Sequence, residues 1–206
     1  MRGFLSIFKR DTSGATAVEF SLLTTIMIVA TVGMVELAVG FFQYHEVRQA
    51  AHIGARVAVT HDPVASDMNT MTGLDNNTDA GDAMPAYSRV CSGESQSCSG
   101  GTYDAAAMST ILYGPDGDEA CASTTKLRMG ICDVQQDIRS RHVTIEYQGT
   151  GLGVAGNPAT LSPVVTVRVT GMHFNLILLG ALLPNTLKQM PTVEVSMLAE
   201  DLRTES

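Results

Sequence analysis

A long apolar run near the start of the chain limits what the chain can fold into. The run extends over Phe20–Phe42, which is long enough to cross a hydrocarbon core as one helix. No proline occurs before Pro63, so the sequence allows a continuous helix from about Thr16 to about Thr60. A secretory signal peptide is cut after its apolar stretch, whereas the small-residue junction Gly14-Ala15 lies before this one. Cleavage there would leave the helix as the new N-terminus.

Glu19 is the acid closest to that junction. Cleavage after Gly14 would place a free ammonium on Ala15, one helical turn before Glu19. In a bundle of such helices, the carboxylate can neutralise the amino terminus of a neighbour, and a buried ion pair of this kind sets the axial register. The alternative is a single-pass anchor with an acid at its interfacial end.

Glu36 is a second acid inside the apolar run, between Val35 and Leu37. An ionisable residue in a membrane segment is costly and usually finds a partner, which a neighbouring helix could supply. Equally, helix tilt or local thinning of the bilayer could bring Glu36 to the headgroups.

The N-terminal sequence resembles class III processed pilins of the tight-adherence type, and most closely the TadE-like minor pilins, or pseudopilins. The resemblance rests on the basic leader Met1–Gly14, on Gly14-Ala15-Thr16-Ala17-Val18-Glu19-Phe20, and on a globular domain whose late strands end in the acidic tail Met197–Leu202. It implies that an aspartic prepilin peptidase cleaves between Gly14 and Ala15. We expect Glu19, Phe20 and Glu36 to act in assembly and in setting the register. Relatives often have a proline early in the helix, where this chain has Thr24-Thr25.

Length and charge divide the chain into three parts. We expect a leader over 1–14, a helix over 15–60 that crosses the membrane at about 20–42, and a single head domain over 61–206. The chain has 13 basic and 21 acidic residues; removal of the leader takes away three and one of these, which leaves 10 against 20 and a charge of −10. Nucleic acid is therefore not an expected partner.

The flanks of the run and the cysteines predict topology. Arg2, Lys9 and Arg10 precede the run, which places the leader in the cytoplasm and the head in the periplasm. All four cysteines lie in the head, as suits an oxidising compartment. Three pairings are possible, and we favour the sequential pairs Cys91–Cys98 and Cys121–Cys132, because each pair flanks a local loop that is poor in apolar residues. The spacing and the scattered histidines do not favour a metal site.

Small residues follow the apolar run on one face of the helix. Ala50, Gly54 and Ala58 recur at four-residue spacing, which allows another element to approach closely. The face could contact neighbouring pilins, or it could serve intramolecular packing alone.

The head is predicted to be α+β. Residues 61–125 are rich in turn formers and read as long loops with a short helix near Ala105–Leu112. Apolar and polar residues then alternate over 143–147, 165–170 and 192–197. These three segments predict a small antiparallel sheet packed on the long N-terminal transmembrane and filament helix. The apolar run 174–183 is too short to span a membrane; we favour a core position over a partner-binding or membrane-surface role.

The sequence shows no catalytic motif, so no enzymatic activity and no cofactor are expected. The acidic stretches at 75–82 and 114–119 do not follow the twelve-residue calcium loop, and we predict turns there. The resemblance implies a minor pilin in biogenesis or priming of a tight-adherence pilus used in surface adhesion. Its partners would be the prepilin peptidase, the major pilin, other minor pilins, the inner-membrane assembly platform and the lipid bilayer, on the way from the inner membrane to the pilus. The alternatives are a membrane-anchored periplasmic binding or sensing domain and an anchored enzyme.

Overall fold

The computed structural model describes residues 13–116, 120–121, 126–158, 161–177, 180–181, 184, 188–199 and 202. The basic leader residues, the acidic tail residues Glu200 and Asp201, and part of the apolar run 174–183 lie outside this set. The described chain forms two compact units. One contains the helix as far as Phe42 together with Asn175–Lys188, and the other contains Gln43–Phe174 and Gln189–Ser206.

One uninterrupted helix, α1, covers Ser13–Thr60 and confirms the helix expected over 16–60. At 1.5 Å per residue it is about 70 Å long. Thr24 and Thr25 do not break it, because their hydroxyls donate to the carbonyls of Phe20 and Ser21 one turn earlier, at 2.8 Å each. The helix ends where the Thr60 hydroxyl donates to the Arg56 carbonyl at 2.9 Å, shortly before Pro63.

The head contains a five-stranded antiparallel sheet in the order β2-β1-β3-β4-β5. The strands are β1 Ser88–Ser92, β2 Ser97–Cys98, β3 Val143–Gln148, β4 Val164–Val169 and β5 Val193–Leu198. Two short α-helices, α2 Ala105–Tyr113 and α3 Ile131–Val134, lie between β2 and β3, and 3-10 turns cover Ser66–Asn69 and Ser140–His142. The three predicted strands and the helix near residue 105 are present. The prediction of loops and helices alone over 61–125 is wrong, because β1 and β2 form a hairpin there.

Alternation places the apolar side chains of the sheet in one core. Val143, Ile145 and Tyr147 on β3 are fully buried, as are Val165 and Val167 on β4. The opposite face is polar: Arg168 on β4 pairs with Glu194 on β5, Nε to Oε1, at 2.6 Å. The same core includes Val47, Ala50, Ala51, Ala55 and Ala58 of α1, so the sheet packs on the helix.

Tyr147 ties the end of α1 to the sheet. Its hydroxyl accepts a hydrogen bond at 3.0 Å from the backbone N–H of Val64, just beyond the helix. Burial raises the pKa of Tyr147, so the hydroxyl stays protonated. This bond fixes where the chain leaves the helix and enters the head.

The run 174–183 departs from the expected core position. Phe174 packs against the core, but Ile177 is 87% exposed, and Asn175–Lys188 group with the apolar part of α1. A core position is therefore wrong for Ile177. Leu178, Leu179, Leu182 and Leu183 lie outside the described residues.

Candidate functional site

The expected processing junction lies at the open end of α1. Gly14 and Ala15 occupy the first turn and are exposed. A methyl group built on Gly14 would meet no heavy atom of the described residues within 4 Å, so packing against them does not require glycine there.

Glu19 and Phe20 lie on a part of the helix that nothing in the described chain covers. Phe20 is 72% exposed, and every residue over 14–31 is exposed. The hydroxyls of Ser21 and Thr31 are satisfied within the helix, by the carbonyls of Val18 and Ile28. Among the described residues Glu19 has no ion-pair partner, so its carboxylate is available to another chain.

Glu36 has a different environment. It is 8% exposed, whereas its neighbours Val35 and Leu37 are 63% and 60% exposed. The protomer itself therefore covers Glu36, and the two acids of the helix are not equivalent.

The small-residue face packs inside the protomer. Ala50 and Ala58 are fully buried, and Gly54 is buried between them. A methyl group on Gly54 would lie 2.5 Å from Ile131 Cδ1 on α3, so glycine allows the close approach of these two helices. Intramolecular packing accounts for the face over residues 50–58.

Two disulfides tie down the head. Cys91 pairs with Cys98 between opposite positions of β1 and β2, and Cys121 pairs with Cys132 at the start of α3. These are the sequential pairs favoured from the sequence. The second closes a loop whose described residues include Lys126, Leu127 and Arg128.

In the acidic stretch 75–82, aspartate carboxylates accept hydrogen bonds from backbone N–H groups of the same stretch. Asp75 Oδ1 accepts from the Asn77 N–H at 2.7 Å, and Asp82 Oδ2 accepts from the Asp79 N–H at 2.9 Å. Gly117, Asp118 and Glu119 lie outside the described residues. Within the described residues, no group of three or more His, Cys, Asp or Glu side chains could hold a metal ion.

A groove lies at the C-terminal end of α1 and was not predicted from the sequence. The groove has a volume of about 320 Å³. It is lined by Ile53, Arg56, Val57, Thr60 and His61 of the helix end and by Pro115, Leu127, Arg128 and Met129. One signal in the sequence could have indicated the groove. Leu127 and Met129 flank Arg128 in a mainly polar segment between Cys121 and Cys132.

Comparison with known proteins places the resemblance in the helix. The family model of the TadE-like proteins matches residues 14–56, which confirms the likeness noted from residues 14–20. The match includes Gly14, Ala15, Glu19 and Glu36 and stops before the sheet. Neither the curated proteins nor the solved structures contain a match to this chain. The helix within Gly14–Thr60 is long and apolar enough to cross a membrane. An 18-residue window within it has a mean hydropathy of 2.1, and 6% of this window is buried.

Proposed function

We propose that this protein is a minor pilin, or pseudopilin, that takes part in the biogenesis or priming of a tight-adherence pilus used in surface adhesion. The observation that carries the proposal is the TadE-like match over residues 14–56, which supports an association with a pilus of this type. Its role is structural and not enzymatic, in keeping with that family. The exposed helix end with Glu19 supports it further, because this end is suited to packing against other helices.

The proposed location follows from the single apolar helix. The helix anchors the precursor in the inner membrane as a single pass, with the leader 1–14 in the cytoplasm and the head 61–206 in the periplasm. The two disulfides of the head support an oxidising compartment. After processing, the subunit leaves the bilayer for the pilus at the cell surface.

The proposed partners act one after another during assembly. The prepilin peptidase removes the leader at Gly14-Ala15, and the inner-membrane assembly platform receives the mature subunit. The major pilin and other minor pilins then pack against residues 15–42. Within that bundle, Glu19 neutralises the ammonium of a neighbouring subunit, a pairing that fixes register because either charge left alone in a low-dielectric environment is costly.

Processing provides the first test. We expect the mature protein from its native host to begin at Ala15 by mass spectrometry. Replacing Gly14 with a bulky residue such as leucine should block cleavage, and because nothing lies within 4 Å of a methyl group at this position, the fold should not change. A mature protein that retains Met1–Gly14 would exclude a processed pilin and favour a membrane-anchored binding or sensing domain.

The helix acids provide the second test. Glu19→Ala and Glu19→Gln proteins should insert and fold their heads, because Glu19 is exposed and makes no contact with the core. Pilus formation should nevertheless fall by about tenfold or more, the equivalent of losing one favourable charge pair of about 1.4 kcal/mol. Electron microscopy and subunit crosslinking measure this loss. If both variants assemble normally while Glu36→Ala does not, Glu36 sets the register instead.

A further inference from the structure

The chain between β4 and β5 leaves the head and returns to it at one point. An antiparallel bridge joins His173 to Gln189, and the backbone N–H of Met190 donates to the carbonyl of Met172 at 2.8 Å. Both methionines belong to the core of the head. Residues 175–188, which we name the apolar segment, are therefore attached to the head at two adjacent positions.

The apolar segment has the composition of a peptide that inserts into membranes. From Asn175 to Leu187 it contains no charged residue, and it includes six leucines and one isoleucine. Its last residue, Lys188, is charged, but a lysine side chain can reach water while its stem stays in an apolar environment. The segment is too short to span a bilayer. Its length is that of re-entrant and interfacial segments, which enter one leaflet.

The head does not bury this segment. Ile177 is 87% exposed, and Ala181 is exposed as well. None of the residues that the structure describes within 175–188 is buried. Removal of apolar surface from water is favourable, and soluble monomers rarely expose an apolar run of this composition. The segment therefore needs an apolar environment outside the head.

The compact unit that contains the apolar segment indicates what this environment is. Asn175–Lys188 group with the part of the chain that ends at Phe42, and not with the head. In the same unit, residues 14–31 of α1 are all exposed, and α1 has the length and hydropathy of a membrane span. The apolar segment is thus in one unit with the apolar part of α1. A bilayer that surrounds this part of α1 also reaches the segment.

The attachment points determine the side from which the segment enters. Both lie in the head, so the segment enters the bilayer from the side of the head. Its 14 residues go out and return, so they reach at most about 25 Å even when fully extended, less than the hydrocarbon thickness of about 30 Å. The leaflet on the side of the head is therefore the leaflet within reach.

We propose that the apolar segment inserts into the periplasmic leaflet of the inner membrane beside α1, as a second lipid-contacting element of this chain. Ile177 and Ala181 then contact acyl chains, and Lys188 lies at the headgroups, where its charge is solvated. The inference rests on the membrane anchorage proposed for α1, and it does not depend on pilus assembly.

A tryptophan probe tests the environment of the segment. The chain contains no tryptophan, so one introduced tryptophan reports on one position. The full-length Ile177→Trp protein is placed in nanodiscs of phosphatidylethanolamine and phosphatidylglycerol, in which iodide has access to both faces of the bilayer. We expect strong quenching of the probe by lipids with brominated acyl chains. Quenching by iodide should be several-fold weaker than for a probe in water.

Leu127→Trp is the matched control. Leu127 is 93% exposed and lies in the head, so it resembles Ile177 in exposure but not in its compact unit. Its probe should be quenched by iodide and not by brominated lipid. For the probe at position 177, quenching by iodide comparable to this control would overturn the proposal, because the segment would lie in water. Quenching by neither agent would also overturn it, because protein would cover the segment.

A charge placed in the segment provides an independent test. Ala181→Trp should give the same quenching as Ile177→Trp. Combined with Ile177→Lys, it should become several-fold more accessible to iodide, because a charge one helical turn away opposes insertion. Combined with Leu127→Lys, it should not change. Equal iodide quenching in the two double variants, in proteins with both disulfides formed, would contradict the proposal.

The outcome is separable from the proposals on which it builds. Phe20→Trp reports on α1 itself. If the probe at position 20 is quenched by brominated lipid and the probe at position 177 by iodide, the anchorage of α1 stands and lipid contact by the segment fails. If both are quenched by iodide, the anchorage fails as well. Loss of Met1–Gly14 in the native host is measured separately and tests the pilus proposal in either case.

Discussion

Lys126 and Asp133 form an ion pair in the interior of the head. Their side chains are 1% and 3% exposed, and Asp133 Oδ2 also accepts from the Gly130 N–H at 2.8 Å. Burying either charge alone would cost desolvation free energy. The pair offsets this cost, because each charged group replaces the water that the other loses on burial. At the scale of single residues, this pair links Lys126 to Asp133 on α3.

Removing one member of the pair should destabilise the head strongly. Lys126→Met leaves the Asp133 carboxylate buried without its counter-charge, and we expect a loss of about 3–5 kcal/mol in the free energy of unfolding. Chemical denaturation under non-reducing conditions measures it. The double variant Lys126→Met with Asp133→Leu should lose less than the two single variants added together. Simple additivity would show that the two charges do not stabilise each other.

α1 and α3 approach each other closely at Gly54. Gly54 lies under Ile131, and a side chain at that position would have to displace Ile131 Cδ1 and Cγ1, which are 2.5 and 2.6 Å from the site of its first carbon. Gly33, on the membrane part of the same helix, has no atom within 4 Å of that site. Substitutions at the two glycines therefore distinguish the effect of packing from the effect of helix propensity.

Leucine should destabilise the head at Gly54 but not at Gly33. Leucine is a better helix former than glycine by about 0.8–1 kcal/mol. At Gly54 that gain is outweighed by overpacking, so Gly54→Leu should lower the free energy of unfolding by about 1–3 kcal/mol. Gly33→Leu should leave head stability within about 0.5 kcal/mol of the original. Thermal unfolding in detergent compares them, and equal stabilities would show that α3 can move away from α1.

Regular elements were predictable from the sequence, and contacts between distant residues were not. Alternation of the kind seen over Val143–Tyr147 depends only on neighbours in sequence, and the absence of proline is enough to allow α1. The hairpin of β1 and β2 was missed because Ser88–Ser92 is short and mostly polar, so its composition does not indicate a strand. The strand is stabilised by pairing with β3 and by the Cys91–Cys98 disulfide. The groove at the C-terminal end of α1 was missed because Arg56 and Leu127 meet only after folding.

At the scale of the whole molecule, α1 belongs to two environments. Its first part is exposed along 14–31, whereas the part from Val47 to Ala58 forms one wall of the core of the head. The head is therefore incomplete without the end of the membrane helix, although the sequence suggested a division at residue 60. The compact unit of the head begins at Gln43.

Truncation should reveal this boundary. A fragment over 43–206 should fold with both disulfides, because it keeps the entire helix wall. A fragment over 61–206 should not, since it loses six buried apolar residues of α1: Val47, Ala50, Ala51, Ala55, Val57 and Ala58. Circular dichroism and disulfide mapping of the two oxidised fragments provide the comparison. A folded 61–206 fragment would show that the sheet can close its core unaided.

The burial of α1 against late parts of the chain also has a kinetic consequence. Synthesis completes the helix wall first, while Ile111 and Ile131, which contact the Gly54 position, come much later, and β5 comes last. Closure of the core depends on contacts between distant residues, which form slowly. During that interval the apolar wall is bare and prone to aggregate. The yield of native protein in the cell thus depends on how quickly the later segments are synthesised and fold onto α1, and not on the stability of the folded state alone.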